Sequence, residues 1–403
     1  MMASSKSVPV QQKLYELGKP ALQLVRFVGY LPFTISNNYE LTSSYRSIPL
    51  LWASFLCSVA VLKVVNYSIL SPDSTQMIGL DKVQVFCQLM LALTGIISVI
   101  VLTIKGILTM KQGVRFWEKN CSQLHEFVGL DPSFDFCVQS NEHYSLFPKV
   151  ARETRIGCMF ICFYGIVTPV VVFTTNTTPT GVKLTSVLAG FHGNVQSWVS
   201  VAITTLLRAS MAFSYLYMGL SAYLTFYLKL YGLCFKMIVE KLKKLTAAEL
   251  GNPNLQLCEK PLGCLYCPYI PFCIHDTREV AISTCLGAYQ LIEELVSEFN
   301  AHFSFELVFE ALRTIISVLI YAFFVTTRGI DRVSTLITLG PAFALCIRFY
   351  SLATAATEVR SGGEAIACQL HRLDIDKITA GTRAKVDAQI SNQILGNDFH
   401  SNA

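Results

Sequence analysis

Charge is scarce in this sequence: charged residues fill 15% of its 403 positions, against about 25% in soluble domains. Apolar residues fill 52%. That balance excludes a string of soluble domains joined by polar linkers, which the length alone would suggest. The chain also lacks a short apolar core followed by a small-residue cleavage site near its start, so no signal peptide is expected. The first apolar stretch is then expected to act as its own insertion signal. No nucleotide-binding loop, zinc-protease helix, nucleophile elbow or pair of catalytic carboxylates stands in a context where it could work, and no enzyme is expected. Neither an internal repeat nor a matched pair of Gly/Pro-broken apolar stretches marks a secondary transporter. No cofactor and no nucleic-acid partner are implied.

Six long apolar stretches are what the chain does have, at about 47–70, 83–104, 157–175, 195–228, 304–327 and 333–357. Each approaches the roughly 20 residues a helix needs to cross a bilayer core. The segments between them are sorted by positive charge. With the N-terminus in the cytosol, the inner segments 1–46, 105–156, 229–303 and 358–403 hold 24 Lys and Arg, and the outer ones hold only Lys82, Lys183, Arg328 and Arg332. Cytoplasmic loops carry the excess of Lys and Arg. The expected fold is therefore an all-α, polytopic membrane helix bundle with a cytoplasmic N-terminus. Its expected parts are a cytoplasmic segment over 1–46, a transmembrane bundle over 47–357 with a cytoplasmic helical hairpin at 229–303, and a cytoplasmic tail over 358–403.

Cysteine is absent from the outer loops although the chain has fourteen, so no stable disulfide is expected. Asn176 opens an Asn-Thr-Thr triplet in the outer loop and is the expected glycosylation acceptor. Between 251 and 282, Cys258, Cys264, Cys267, Cys273 and His275 crowd together. Thiolates with an imidazole are what tetrahedral zinc takes, but only Cys264 and Cys267 have a familiar ligand spacing. A reduced cysteine loop and a zinc site both stay open.

Two inner segments show helical periodicity. One continues the fourth stretch, with Leu230, Leu233, Phe235, Met237, Ile238, Leu242 and Leu245 set among lysines. The other aligns Ala288, Ile292, Leu295, Phe299 and Phe303, with Glu293, Glu294 and Glu298 elsewhere. They read either as a helical hairpin packed under the membrane or, for 236–244, as a basic face on anionic lipid. Within the apolar stretches the reading singles out Lys63, Arg208, Glu310, Arg313 and Arg348, since charge there is costly. Glu310 can pair with Arg313 three residues on, Lys63 and Arg348 can snorkel, and Arg208 lies deep in the fourth stretch.

Three stretches carry a resemblance. Residues 21–33 end in Gly29-Tyr30-Leu31-Pro32-Phe33. Residues 285–327 hold Leu291, Glu294, Leu295, Asn300, Phe303, Leu307 and then Tyr321-Ala322-Phe323-Phe324. After the sixth stretch come Glu358-Val359-Arg360, Glu364-Ala365, Leu370 and Leu373. Together with the inverted orientation, opposite to that of G-protein-coupled receptors, these resemble the arthropod gustatory receptors. The resemblance implies a seven-helix, ligand-gated cation channel, assembled as a homo- or hetero-tetramer in the plasma membrane of chemosensory cells and opened by a small tastant. It also implies a pore-lining seventh helix with a Thr-Tyr…Gln-Phe motif. That motif is not found, and residues 386–403 read as the lead-in to such a helix, so six spans of an expected seven are present and a truncated chain is expected.

A tastant pocket is then expected among the outer halves of the helices, as sites of this kind lie between helices of a bundle. The polar and aromatic candidates are Gln88, Tyr164, Thr168, Gln196, Trp198, Tyr321 and Phe324, with Arg208 as the buried cation. A solute carrier or a non-conducting membrane protein is the alternative.

Overall fold

The third, fifth and sixth apolar stretches fall in helices that run on well past them at one end. The computed structural model describes residues 10–36, 39–44, 47–69, 79–134, 146–174, 219–249, 270–327, 332–372 and 383–384. Its helices are α1 (Val10–Phe27), α2 (Ile48–Ile69), α3 (Gly79–Leu108), α4 (Met110–Leu130), α5 (Leu146–Thr174), α6 (Gly219–Glu249), α7 (Ile270–Thr327) and α8 (Arg332–Arg372). A two-residue antiparallel ribbon, β1 (Thr34–Ile35) with β2 (Leu41–Thr42), follows α1 and pairs Thr34 with Thr42. The all-helical class is as expected.

At 58 residues, α7 is roughly 87 Å long at 1.5 Å per residue. A bilayer core is about 30 Å thick, so much of α7 lies beyond any membrane. There it meets α4, which leaves α3 through a 69° bend. Thr109 marks the break, with φ −97° and ψ 9°, outside the helical region. This end of the bundle carries most of the lysines of α4 and α6, and is called the basic end below.

α6 sits at the centre, against α1, α5, α7 and above all α8. Its first part, 219–228, carries no charge and is apolar nearly all round, and such a stretch belongs inside a bundle. Leu224, Phe226, Tyr227, Tyr231 and Cys234 are almost fully buried. Among the described residues it is also the one helix that is, over Gly219–Thr246, long and apolar enough by itself to cross a bilayer. The leucines and aromatics expected on its inward face beyond residue 229 are all buried, as are Ala288, Ile292, Leu295, Phe299 and Phe303 of α7. Between them lies an aromatic cluster. Phe116 of α4 meets Tyr227 at 5.2 Å and Phe303 at 5.1 Å, and the Tyr231 hydroxyl donates to Asn120 Oδ1 at 2.6 Å. Lys119 pairs with Glu298 at 2.7 Å and Lys241 with Asp131 across the same interface. α6 and α7 pack on each other through these buried faces. Lys236, Lys243 and Lys244 stay exposed.

Large apolar side chains stand exposed on several helices. Ile48, Leu51, Met159, Phe163, Phe343 and Tyr350 are exposed on α2, α5 and α8. α7 is reversed relative to a water-facing helix. Phe305, Val308, Leu312, Ile315 and Leu319 point out, while Glu306, Glu310, Arg313, Thr314, Ser317 and Tyr321 point in and are buried. Both sets recur every three to four residues, the spacing of one helix face.

Candidate functional site

The buried polar face of α7 is the candidate site. Its first group forms around Glu306, which is wholly buried. Lys105 of α3 donates to Glu306 Oε2 at 2.5 Å and lies 4.6 Å from the Phe305 ring centroid. The Tyr30 hydroxyl donates to Glu306 Oε1. Tyr30 is held there by the turn that ends α1. Gly29 takes φ +80°, which glycine adopts without strain, and the Tyr30 amide donates back to the Val25 carbonyl at 3.1 Å. α3 then passes directly over this turn. A Cβ at Gly106 would lie 1.8 Å from the Tyr30 carbonyl oxygen, so only glycine fits. Three chain segments thus converge on one carboxylate, which accepts charge-assisted hydrogen bonds from two of them.

One helical turn on, Glu310 accepts from Arg348 of α8 and lies 3.3 Å from Arg313. The i,i+3 pair expected from the sequence is present. Arg348 does not snorkel, however. Its side chain is 10% exposed and turned inward onto Glu310, whose carboxylate accepts a charge-assisted hydrogen bond from it. The geometry leaves valences open: Arg348 Nε and Nη1, Thr314 Oγ1 and Glu310 Oε1 find no hydrogen-bond partner among the described residues. Two arginines share one carboxylate, so the cluster carries a net charge of +1. Buried charge of this kind is costly and is usually put to use.

At the basic end, just before α7 enters this face, His302 stacks on Phe116 at 5.4 Å. Burial pushes its imidazole below the ordinary range. Glu306 opposes that shift, Lys105 adds to it, and Glu298 opposes it again. Nearby, burial pushes the Cys121, Cys234 and Cys285 thiols up to about 12.

Two adjoining cavities open between α5, α6 and α8, one of them beside Arg348. One, of about 370 Å³, is walled mainly by apolar groups such as Ile156, Phe160 and Ile347, with Arg348 among its lining. The other, of about 390 Å³, is mixed: Val150, Leu233, Val239 and Ala365 line it beside Lys149, Lys236, Glu358 and Ser361, and for these last four it is called the polar chamber below. Glu153 and Lys229, which pair with each other, line both.

Of the pocket residues expected from the sequence, Tyr321 is described in full, and it is buried on the same face of α7 as Glu310 and Ser317. Gln88 lies on α3, Tyr164 and Thr168 on α5, and Phe324 on α7, described as helix backbone. Gln196, Trp198, Arg208 and Asn176 lie outside the described residues, as do Cys258, Cys264 and Cys267; Cys273 and His275 fall in the first turns of α7. The sequence reading missed Glu306, although it lies inside the fifth apolar stretch. The signal was there in the spacing of 306, 310, 313, 314, 317 and 321, a polar stripe on a single helix face.

No family model matches the sequence, and no curated protein matches it. The fold does have a solved counterpart. The insect olfactory receptor OR5 from Machilis hrabei is similar over 95% of this chain and 89% of its own, with a TM-score of 0.51 and 12% identity. The same receptor in complex with eugenol aligns over 93% of this chain and 88% of its own, with a TM-score of 0.47 and 10% identity. At these identities what is shared is the fold.

Proposed function

We propose that the chain is a subunit of a ligand-gated cation channel of the insect chemoreceptor kind, a gustatory receptor sensing a small tastant. In this reading it spans the plasma membrane of a chemosensory cell, with its N-terminus and basic end in the cytosol and partner subunits beside it in a tetramer. The observation that carries the proposal is the joint at Glu306. Two of the three stretches that resemble gustatory receptors, 21–33 and 285–327, meet there through Tyr30 and Glu306. The resemblance thus falls on a long-range contact rather than on scattered residues. The likeness of the whole fold to an insect olfactory receptor supports the same reading. The reversed faces of α7 support membrane embedding, because a helix with apolar groups outside and ionised groups inside suits lipid and not water.

A tastant held among the outer halves, near Tyr321 and the helices that carry Gln88, Tyr164 and Thr168, would act on α7. Along that helix the ion pairs at Glu310 and Glu306 tie it to α8, α3 and the turn after α1. A shift at the outer end would reach the basic end through one rigid element. The resemblance assigns the pore to a seventh helix, so the test records the chain both alone and with such a helix from an insect olfactory receptor joined after Ala403. Whole-cell recording is expected to show a non-selective cation current to at least one of a panel of sugars, bitter compounds and carbon dioxide. Tyr321→Ala is expected to shift its concentration dependence. Silence across the panel in a chain that reaches the cell surface would contradict the proposal, and solute uptake without current would point to a carrier.

A further inference from the structure

We infer that the paired cavities between α5, α6 and α8 form a binding site for one anionic phospholipid of the cytoplasmic leaflet, with the phosphate in the polar chamber and an acyl chain in the apolar one. The inference rests on the membrane-spanning reading above and adds a ligand that is not the tastant.

The first argument is position. The polar chamber is built from residues that begin where the apolar stretches end: Lys229 and Lys236 follow the stretch closing at 228, and Glu358 and Ser361 follow the one closing at 357. The apolar chamber draws on Ile156, Phe160, Ala222 and Ile347, at or within the stretches. One chamber therefore sits at headgroup depth and the other at acyl depth. Ile156 and Ile347 are 57% and 44% exposed, so the apolar chamber is bordered by the surface that faces lipid.

Charge is the second argument. Lys149, Lys229 and Lys236 face Glu153 and Glu358, which leaves the polar chamber positive. Lys149 and Lys236 are exposed and have no ion pair among the described residues. Behind them, Arg348 lines the apolar chamber with two buried N–H groups unpartnered. An apolar cavity has no use for idle guanidinium donors. A diacyl phospholipid supplies what is lacking, with a phosphate for the lysines and ester carbonyls for Arg348 Nε and Nη1. Basic pockets between helices on the cytoplasmic side are where anionic headgroups bind.

Gly157 allows a clean test. It lines the apolar chamber, and a Cβ built on it meets nothing within 4 Å. Gly157→Leu therefore starts its side chain in open space beside the acyl site, with room at Cβ to project into it. The full chain is reconstituted first in nanodiscs of phosphatidylcholine alone. That step tests the membrane reading by itself, since it requires no anionic lipid. It is then reconstituted with a phosphatidylinositol phosphate added, and retained lipid is counted by native mass spectrometry. Wild type is expected to keep one anionic lipid per chain in preference to phosphatidylcholine. Lys149→Gln with Lys236→Gln, both at exposed sites, is expected to lower that retention roughly 25-fold, at about fivefold for each surface lysine. Gly157→Leu is expected to abolish it, and Arg348→Lys, which keeps the charge beside Glu310, is expected to weaken it. No preference for the anionic lipid in wild type would overturn the inference. So would full retention in Gly157→Leu, or displacement of the lipid by an equimolar soluble inositol phosphate, which has no acyl chain.

Discussion

Replacing Glu306 with alanine takes the shared acceptor from Lys105 and from the Tyr30 hydroxyl at once. Breaking a buried pair from one side costs about 3–5 kcal/mol. Lys105 keeps 22% of its side chain exposed, so about 3 kcal/mol is expected, read as a lower unfolding midpoint in detergent. Tyr30→Phe removes one hydrogen bond to a charged group and should cost about 1.5–3 kcal/mol. An unchanged midpoint in both variants would mean that the joint contributes nothing. His302 gives the pH dependence. Its folded pKa lies below the ordinary value of about 6.5, so the unfolded chain binds more protons between the two. The stability this contributes is complete above pH about 6.5 and is lost as the pH falls through the folded pKa. His302→Asn should flatten the slope of midpoint against pH in that window. The raised thiols make a third expectation: with native protein near neutral pH, a maleimide should label exposed Cys368 and spare buried Cys121, Cys234 and Cys285.

At the scale of elements, two glycines make opposite predictions. Gly106→Ala would set a methyl against the Tyr30 carbonyl at 1.8 Å, and either α3 or the turn after α1 must move. Gly157→Ala enters open space within α5 and should be neutral or stabilising by up to about 1 kcal/mol, the helix preference of alanine over glycine. A fluorescence or thermal-shift comparison of the two reads this directly; equal losses would show that the crossing of α3 over the turn is not tight. The elements also show what the sequence could and could not disclose. The inner face of α7 from Ala288 to Phe303 was legible because apolar residues recur at helical spacing without interruption. α4 was overlooked although its signal was present: Phe116, Trp117, Cys121, Leu124 and Phe127 recur at helical spacing and are the residues it buries. Arg348 was misread for a different reason. Snorkelling is the default for a lone arginine near a membrane edge, and only the three-dimensional neighbourhood supplies Glu310 as an alternative. The turn at Gly29 was visible as a motif, but its work, holding Tyr30 against Glu306, depends on two segments 276 positions apart.

For the molecule as a whole, the apolar outside and the polar inside of α7 tell the same story as the sorted lysines and arginines. In the function proposed above, both would follow from a bundle that faces lipid over its middle and the cytosol at its basic end. The charge bias was legible because it needs only counting along the chain. The sequence offers the proposed tastant site only as a list of residue types and not as a geometry, since a pocket is made by side chains from several helices. Orientation is the claim on which the tastant site, the lipid site and the role of α7 all depend. Epitope tags at either terminus, combined with glycosidase treatment of the chain expressed in animal cells, measure it in one experiment. The account predicts that both tags stain only after permeabilisation, and that a glycosidase-sensitive mobility shift disappears in Asn176→Gln. Staining of the N-terminal tag on intact cells would contradict it.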